Sequence, residues 1–140
     1  MKTIYPAIFT QGKEVVYIEI PDLGIYTEGM DMSDALDMAR DAIGLQCVSM
    51  EDHNDTIPAP SALTVIDPAK GEFAGQGESV VSLVDVDVKE YRRSIEEKTV
   101  RRNVALPSWI DYAAEKAKVN VSKILQEALI KELGLTRTHA

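Results

Sequence analysis

Residues 99–133 read TVRRNVALPSWIDYAAEKAKVNVSKILQEALIKEL, and this stretch decides how the whole chain is organised. Val104 and Leu106 alternate with Arg101, Asn103 and Ala105, which predicts a short strand over 100–106 with one buried face. Pro107 ends the strand and suits the first turn of a helix. A helix is expected from about Ser108 to Lys118, with Trp109, Ile110, Ala113, Ala114 and Ala117 on one stripe. Val119-Asn120-Val121 interrupts that pattern, and Asn120 is a good N-cap. A second helix over about Val121–Leu133 then places Ile124, Leu125, Ala128, Leu129 and Leu133 on one face, and Gly134 closes it.

One strand and two short helices cannot bury this much apolar surface alone. Units below about 40 residues generally need a metal, disulfides or a second subunit. This stretch has no metal-ligand cluster and no cysteine pair, so a dimer is expected, with two strands paired antiparallel over four helices. The order strand, Pro, helix, Asn-x-Ser, helix resembles the ribbon-helix-helix family of DNA-binding domains. In that family the paired ribbon enters the major groove. The dimer core would be Val104, Leu106, Trp109, Ile110, Ile124, Leu125 and Leu129.

Strand parity then sends Arg101, Asn103 and Ala105 outward to the groove. Arg can read guanine and Asn adenine through paired hydrogen bonds, while Ala105 offers a methyl contact. Arg102 has the inward parity and is expected at the ribbon end, on a phosphate. Asn120, Ser122 and Lys123 open the second helix with free N–H groups, a hydroxyl and a charge, a suitable site for the DNA backbone. The competing reading is an ordinary amphipathic helical hairpin with a solvated strand.

The net charge of the 140 residues is −8, which by itself argues against a nucleic-acid binder. The halves disagree. Residues 1–97 hold 7 Lys+Arg against 19 Asp+Glu, a net of −12; residues 98–140 hold 8 against 4, a net of +4. This divides the chain into an acidic module, 1–97, and a basic nucleic-acid module, 98–140. The acidic module would suit a basic protein partner. The single cysteine, Cys47, excludes an internal disulfide and reads as a small buried hydrophobe. No secretory signal, membrane span or repeat is evident, and a cytoplasmic location is expected.

In the acidic module, Thr3–Thr10, Val15–Ile20 and Ile25–Glu28 read as three strands of an antiparallel meander. Pro6 predicts an edge position or a bulge for the first of them. Asp31 caps a helix reaching about Met50, with Ala35, Leu36, Ala39, Ala42, Ile43 and Val48 as its buried stripe. Residues 51–61 and 67–77 read as loops, and Leu63–Ile66 as either a short extended piece or one helical turn. Val80–Val88 is a last strand, and Lys89–Lys98 a polar helix leading to the linker. The fold class is α+β.

Tyr5-Pro6-Ala7, Ile20-Pro21-Asp22-Leu23-Gly24, the Asp31-capped Ala-rich helix, Ile57-Pro58-Ala59-Pro60-Ser61 and Val84-Asp85-Val86-Asp87 occur in that order. With Tyr91-Arg92 and the join Val100–Pro107, the combination resembles the HicB antitoxin family, in members that carry a ribbon-helix-helix tail. One departure is Gly24-Ile25-Tyr26, where Pro-Gly-Cys is typical.

The resemblance implies an antitoxin of a type II toxin–antitoxin system. Its N-terminal module would be a degraded ribonuclease-H-like fold, βββαβ plus a short helix, that masks a small basic RNA-cleaving toxin of the HicA type. Its tail would bind operator DNA as a homodimer or tetramer and repress the operon. No enzyme activity, metal or cofactor is implied. Two other readings stand beside it. One is a repressor whose N-terminal module senses a ligand and has no toxin partner. The other is a residual nuclease, for which Asp85 and Asp87, on one strand face, are the best candidates among Asp22, Asp31, Asp34, Asp85 and Asp87. His53 and His139 stand apart and form no zinc or general-base cluster.

Overall fold

Tyr5, Ala7 and Phe9 lie on one face of the first strand, and the N-terminal unit is built around them. A computed structural model describes residues 2–96 and 100–136. The chain divides into two units, residues 1–96 and 97–140. The expected junction at 97/98 and the tail end with His139 lie outside the described residues.

Strands β1 (Lys2–Gln11), β2 (Val16–Ile20), β3 (Ile25–Gly29) and β4 (Glu78–Asp87) form an antiparallel sheet of order β3-β2-β1-β4. The turn after β1 is closed by the Gly12 N–H donating to the Val15 carbonyl at 2.9 Å. Pro21–Leu23 makes a single 3₁₀ turn between β2 and β3, ended by Gly24 at φ 62°, a left-handed conformation that suits glycine. Helix α1 (Met32–Asp52) starts where the Asp31 carboxylate accepts from the Asp34 N–H at 2.8 Å. It sets Ala35, Ala39, Ile43 and Cys47, spaced four apart, against the sheet. Their partners are Tyr5, Ala7 and Phe9 of β1, Val16, Ile18 and Ile20 of β2, and Val84 and Val86 of β4.

Part of the opposite face of the sheet is covered by the later half of the connection of residues 53–77, whereas Ile57 packs on the α1 side. Phe73 stacks on Tyr17 at 4.8 Å and meets Tyr26 edge-on at 5.8 Å. The Glu72 N–H donates to the Glu19 carboxylate at 2.8 Å. Asp22 holds the near end of the connection with two bonds, from the Ser61 N–H at 2.8 Å and the Ser61 hydroxyl at 2.6 Å. Residues 63–65, 68–70 and 74–76 form 3₁₀ turns, so Leu63–Ile66 resolves as a helical turn and 67–77 is more regular than a plain loop.

Helix α2 (Val88–Ile95) is capped by Asp87 and packs on α1. Its Tyr91 hydroxyl donates to Asp41 at 2.8 Å, and Arg92 pairs with Asp52 at 2.9 Å. The helix is shorter than the expected Lys89–Lys98; Lys98 lies outside the described residues.

The expectation for Pro6 is corrected. Pro6 sits neither on an edge strand nor at a bulge: β1 is interior, and its ten-residue register with β4 runs unbroken from Lys2↔Asp87 to Gln11↔Glu78. The missing N–H is tolerated because the ladder to β2 begins only at Ile8↔Glu19, so Pro6 lies beyond its end.

In the tail, α3 (Ser108–Ala117) and α4 (Val121–Leu133) form as the spacing predicts. The strand expected over 100–106 does not: residues 100–107 belong to no strand or helix. A ladder needs a neighbour, and a single copy offers this segment none. Among the described residues no helix is long and apolar enough to cross a membrane.

Candidate nucleic-acid interface

Pro107 precedes α3 at φ −56°, ψ 142°, and accepts at its carbonyl from the Ile110 and Asp111 N–H groups. Lys118 ends α3 in the left-handed conformation, at φ 55° and ψ 39°. Asn120 then starts α4, its side-chain oxygen accepting from the Lys123 N–H at 3.1 Å. This bond fixes the first turn, so the N-terminus of α4 carries Ser122 and Lys123 on an ordered and exposed end. Gly134 closes α4 at φ 62°.

Arg101, Arg102, Asn103 and Ala105 are exposed on the irregular segment before α3. Asn120, Ser122 and Lys123 come together at the start of α4. The two groups belong to separate stretches, and no hydrogen bond or ion pair among the described residues joins them.

The apolar set is the more telling feature. Val104, Leu106, Trp109, Ile124, Leu125 and Leu129 are all exposed, Trp109 by 73%, and Ile110 is half-buried. No described residue of the tail is fully buried. So many exposed large apolar side chains in one small unit mark a site of association.

The carboxylates of the N-terminal unit are absorbed by its architecture. Asp22 holds Ser61, Asp31 caps α1, Asp34 accepts from the Met30 N–H, and Asp87 caps α2. Asp85 lies 3.4 Å from Lys2 and 3.5 Å from Arg40. The Lys2 hydrogen bond and charge hold its carboxyl below the usual range, with Arg40 adding a smaller share. Among the described residues no three His, Cys, Asp or Glu side chains converge as a metal site would require.

A cavity of about 630 Å³ opens between α1, α2 and residues 57–60, walled by Tyr5, Cys47, Ile57, Pro58 and Pro60. The Tyr5 hydroxyl is spent on the Pro58 carbonyl at 2.6 Å. Burial raises both the Tyr5 phenol and the Cys47 thiol above their ordinary values, so neither is an activated nucleophile. Arg92 at its rim is held by Glu51 and Asp52.

Residues 5–129 match the model of the HicB-like antitoxins of bacterial toxin–antitoxin systems. The chain belongs to that family. A toxin–antitoxin complex from Streptococcus pneumoniae shares its fold, at a TM-score of 0.58 and 24% identity, over 94% of this chain and 99% of that one. The HicB antitoxin of Burkholderia pseudomallei is similar at a TM-score of 0.51 and 21% identity, over 94% and 98% of the two chains. No curated protein sequence matches.

The sequence reading of this HicB-like chain missed part of the exposed tail surface. Tyr112, Val119, Val121 and Ile130 are also exposed, beside the expected stripe. Tyr112 carries the Lys116 ammonium 6.0 Å from its ring centre. Ile130, one residue after Leu129, was readable as a widening of the α4 stripe. The left-handed Lys118 was not, because lysine gives no turn signal.

Proposed function

We propose that this HicB-like antitoxin masks a toxin protein of the HicA type with its N-terminal unit and represses the operon encoding both by binding operator DNA through a dimeric ribbon-helix-helix tail. The observation that carries the reading is the exposed apolar surface of the tail, from Val104 and Leu106 through Trp109 to Ile124, Leu125 and Leu129. Pairing two copies would bury it and supply the missing neighbour for residues 100–106. The ribbon would then present Arg101, Asn103 and Ala105 twice to the major groove, with Arg102 at its ends. The two α4 N-termini, with Asn120, Ser122 and Lys123, would sit on phosphates.

The net +4 of residues 98–140 supports the DNA half of this reading, and the net −12 of residues 1–97 supports a basic protein partner for the other. The βββαβ order with one helix across the sheet supports a degraded ribonuclease-H-like module, and the structural use of its aspartates supports a binding role rather than catalysis.

The test uses the full chain. Its native mass should be that of a dimer or tetramer at micromolar concentration, and it should retard DNA from upstream of its own gene. Co-expression should protect cells from the toxin encoded beside it. A folded monomer that neither retards that DNA nor protects the cells overturns the proposal.

A further inference from the structure

Pro6 determines which backbone groups of β4 face away from the sheet. It stands opposite Leu83, and it has no N–H to exchange. Directly opposed residues in an antiparallel ladder alternate between pairs that exchange both hydrogen bonds and pairs that exchange none. The Pro6/Leu83 pair is therefore of the second kind, as is Ile8/Val81, and the bonded pairs are Tyr5/Val84, Ala7/Ser82 and Phe9/Val80. The N–H and C=O groups of Ser79, Val81 and Leu83 accordingly point outward, and β4 ends the sheet.

The two edges of this sheet differ. β3 is five residues long. β4 is ten residues long, has no Pro or Lys, and carries no bulge along its register. Short length, proline, lysine and bulges are the usual guards against edge pairing. At one end Arg40 reaches Asp85 at 3.5 Å, and the 3₁₀ turns of residues 63–65 and 68–70 approach the strand from the long connection. Beside the open stretch, Leu83 is 50% exposed and Ile4 43% exposed on the outer face.

We infer that β4 pairs antiparallel with β4 of a second copy, about a two-fold axis at Ser82, joining two sheets into one. This register sets Val81 opposite Leu83 of the second copy and Leu83 opposite its Val81. Both are pairs whose amides and carbonyls face outward, so both exchange hydrogen bonds. The four apolar side chains meet on one face, an arrangement that stabilises cross-strand pairs. The acidic ends do not collide, since Asp85 falls opposite Ser79. The occupant is a second copy because the stretch is complementary to itself in this register. The proposed tail dimer also holds two N-terminal units on linkers, which raises their effective concentration. In that last respect only, the inference rests on the function proposed above.

At the axis, Ser82 meets Ser82 of the second copy in a non-bonded pair. Such pairs have Cα atoms about 4.5 Å apart, within disulfide reach. The full chain carrying Ser82→Cys, mildly oxidised, should therefore give a covalent dimer in high yield. Wild type, whose only cysteine is the buried Cys47, should not, and the exposed Glu78→Cys should crosslink far less. Adding Leu83→Pro, which replaces an outward N–H and leaves the ladder to β1 intact, should abolish the crosslink. In wild type, the Val81 and Leu83 amides should be protected from hydrogen exchange more strongly as concentration rises.

Equal crosslinking of Ser82→Cys and Glu78→Cys, or fast exchange of both amides at every concentration, overturns the pairing. Failure of the tail reading shows elsewhere: Leu125→Asp would then leave the native mass unchanged.

Discussion

Gly44 of α1 lies under the ring of Tyr91 of α2: a β-carbon on Gly44 would meet three ring carbons at 2.5, 2.7 and 2.8 Å. The ring has little freedom to withdraw, because its hydroxyl is fixed to Asp41 at 2.8 Å. In an open helix, Gly→Ala would stabilise by about 1 kcal/mol. Here Gly44→Ala should destabilise by about 1–3 kcal/mol through overpacking. Urea titration of both proteins measures it, and a gain in stability would mean the ring moves aside at no cost.

Tyr91 should make the N-terminal unit sensitive to alkali. Burial, followed by the hydrogen bond and charge of Asp41, raises its folded pKa above 10. A raised folded pKa contributes stability that is fully present below the unfolded value, near 10, and lost as pH rises through the folded value. The stability of wild type should therefore fall more steeply above about pH 10 than that of Tyr91→Phe. At neutral pH the variant should lose about 0.5–1.5 kcal/mol, the net worth of one hydrogen bond. Parallel pH profiles for the two proteins would remove Tyr91 from this role.

Asn120→Ala should remove the cap of α4, at a cost of about 0.5–2 kcal/mol. If the α4 N-terminus contacts DNA, the same change also weakens operator binding, whereas Asn120→Asp keeps the cap and should fail only in binding, through its charge. Circular dichroism melts and gel-shift titrations separate the two effects. Equal operator affinity for wild type and Asn120→Asp would place the α4 N-terminus away from the phosphates.

Arg101→Ala and Asn103→Ala should each cost about 1–3 kcal/mol of discrimination between operator and scrambled DNA. Lys123→Ala should instead weaken binding to both DNAs alike and flatten the dependence on salt. None of the three should alter neutralisation of the toxin. Operator affinity and specificity unchanged in a folded Arg101→Ala, Asn103→Ala double variant would remove the ribbon from the mechanism.

The parts of this fold that were legible in the sequence are those set by neighbours along the chain. Asp31 and Asn120 are placed by capping chemistry, Gly134 by its left-handed φ, and the three-strand meander by its alternation. What escaped depends on residues far apart. Pro6 is tolerated in an interior strand because β2 stops pairing at Ile8, a fact of the β1–β2 register that the tripeptide around Pro6 does not contain. The stacking of Phe73 on Tyr17 orders a glycine-rich stretch that reads as loop when taken alone. At the candidate interface the residue types of 100–106 were readable, but alternation alone does not make a strand, and the single chain gives this segment no neighbour to pair with.

The two bonds from Asp22 to Ser61 bear on proteolysis. They fasten the connection of residues 53–77 to the sheet at an interior point, so two short closures replace one long one. The segment beyond Ser61, which covers Ile8, is then held to the sheet at Ser61, at Glu72 through the Glu19 carboxylate and at Phe73 through Tyr17. It should open together with the sheet as one cooperative unit. Asp22→Ala would uncouple the two: limited proteolysis should nick the connection of the variant while its sheet and α1 remain folded, and should spare wild type until it unfolds as a whole.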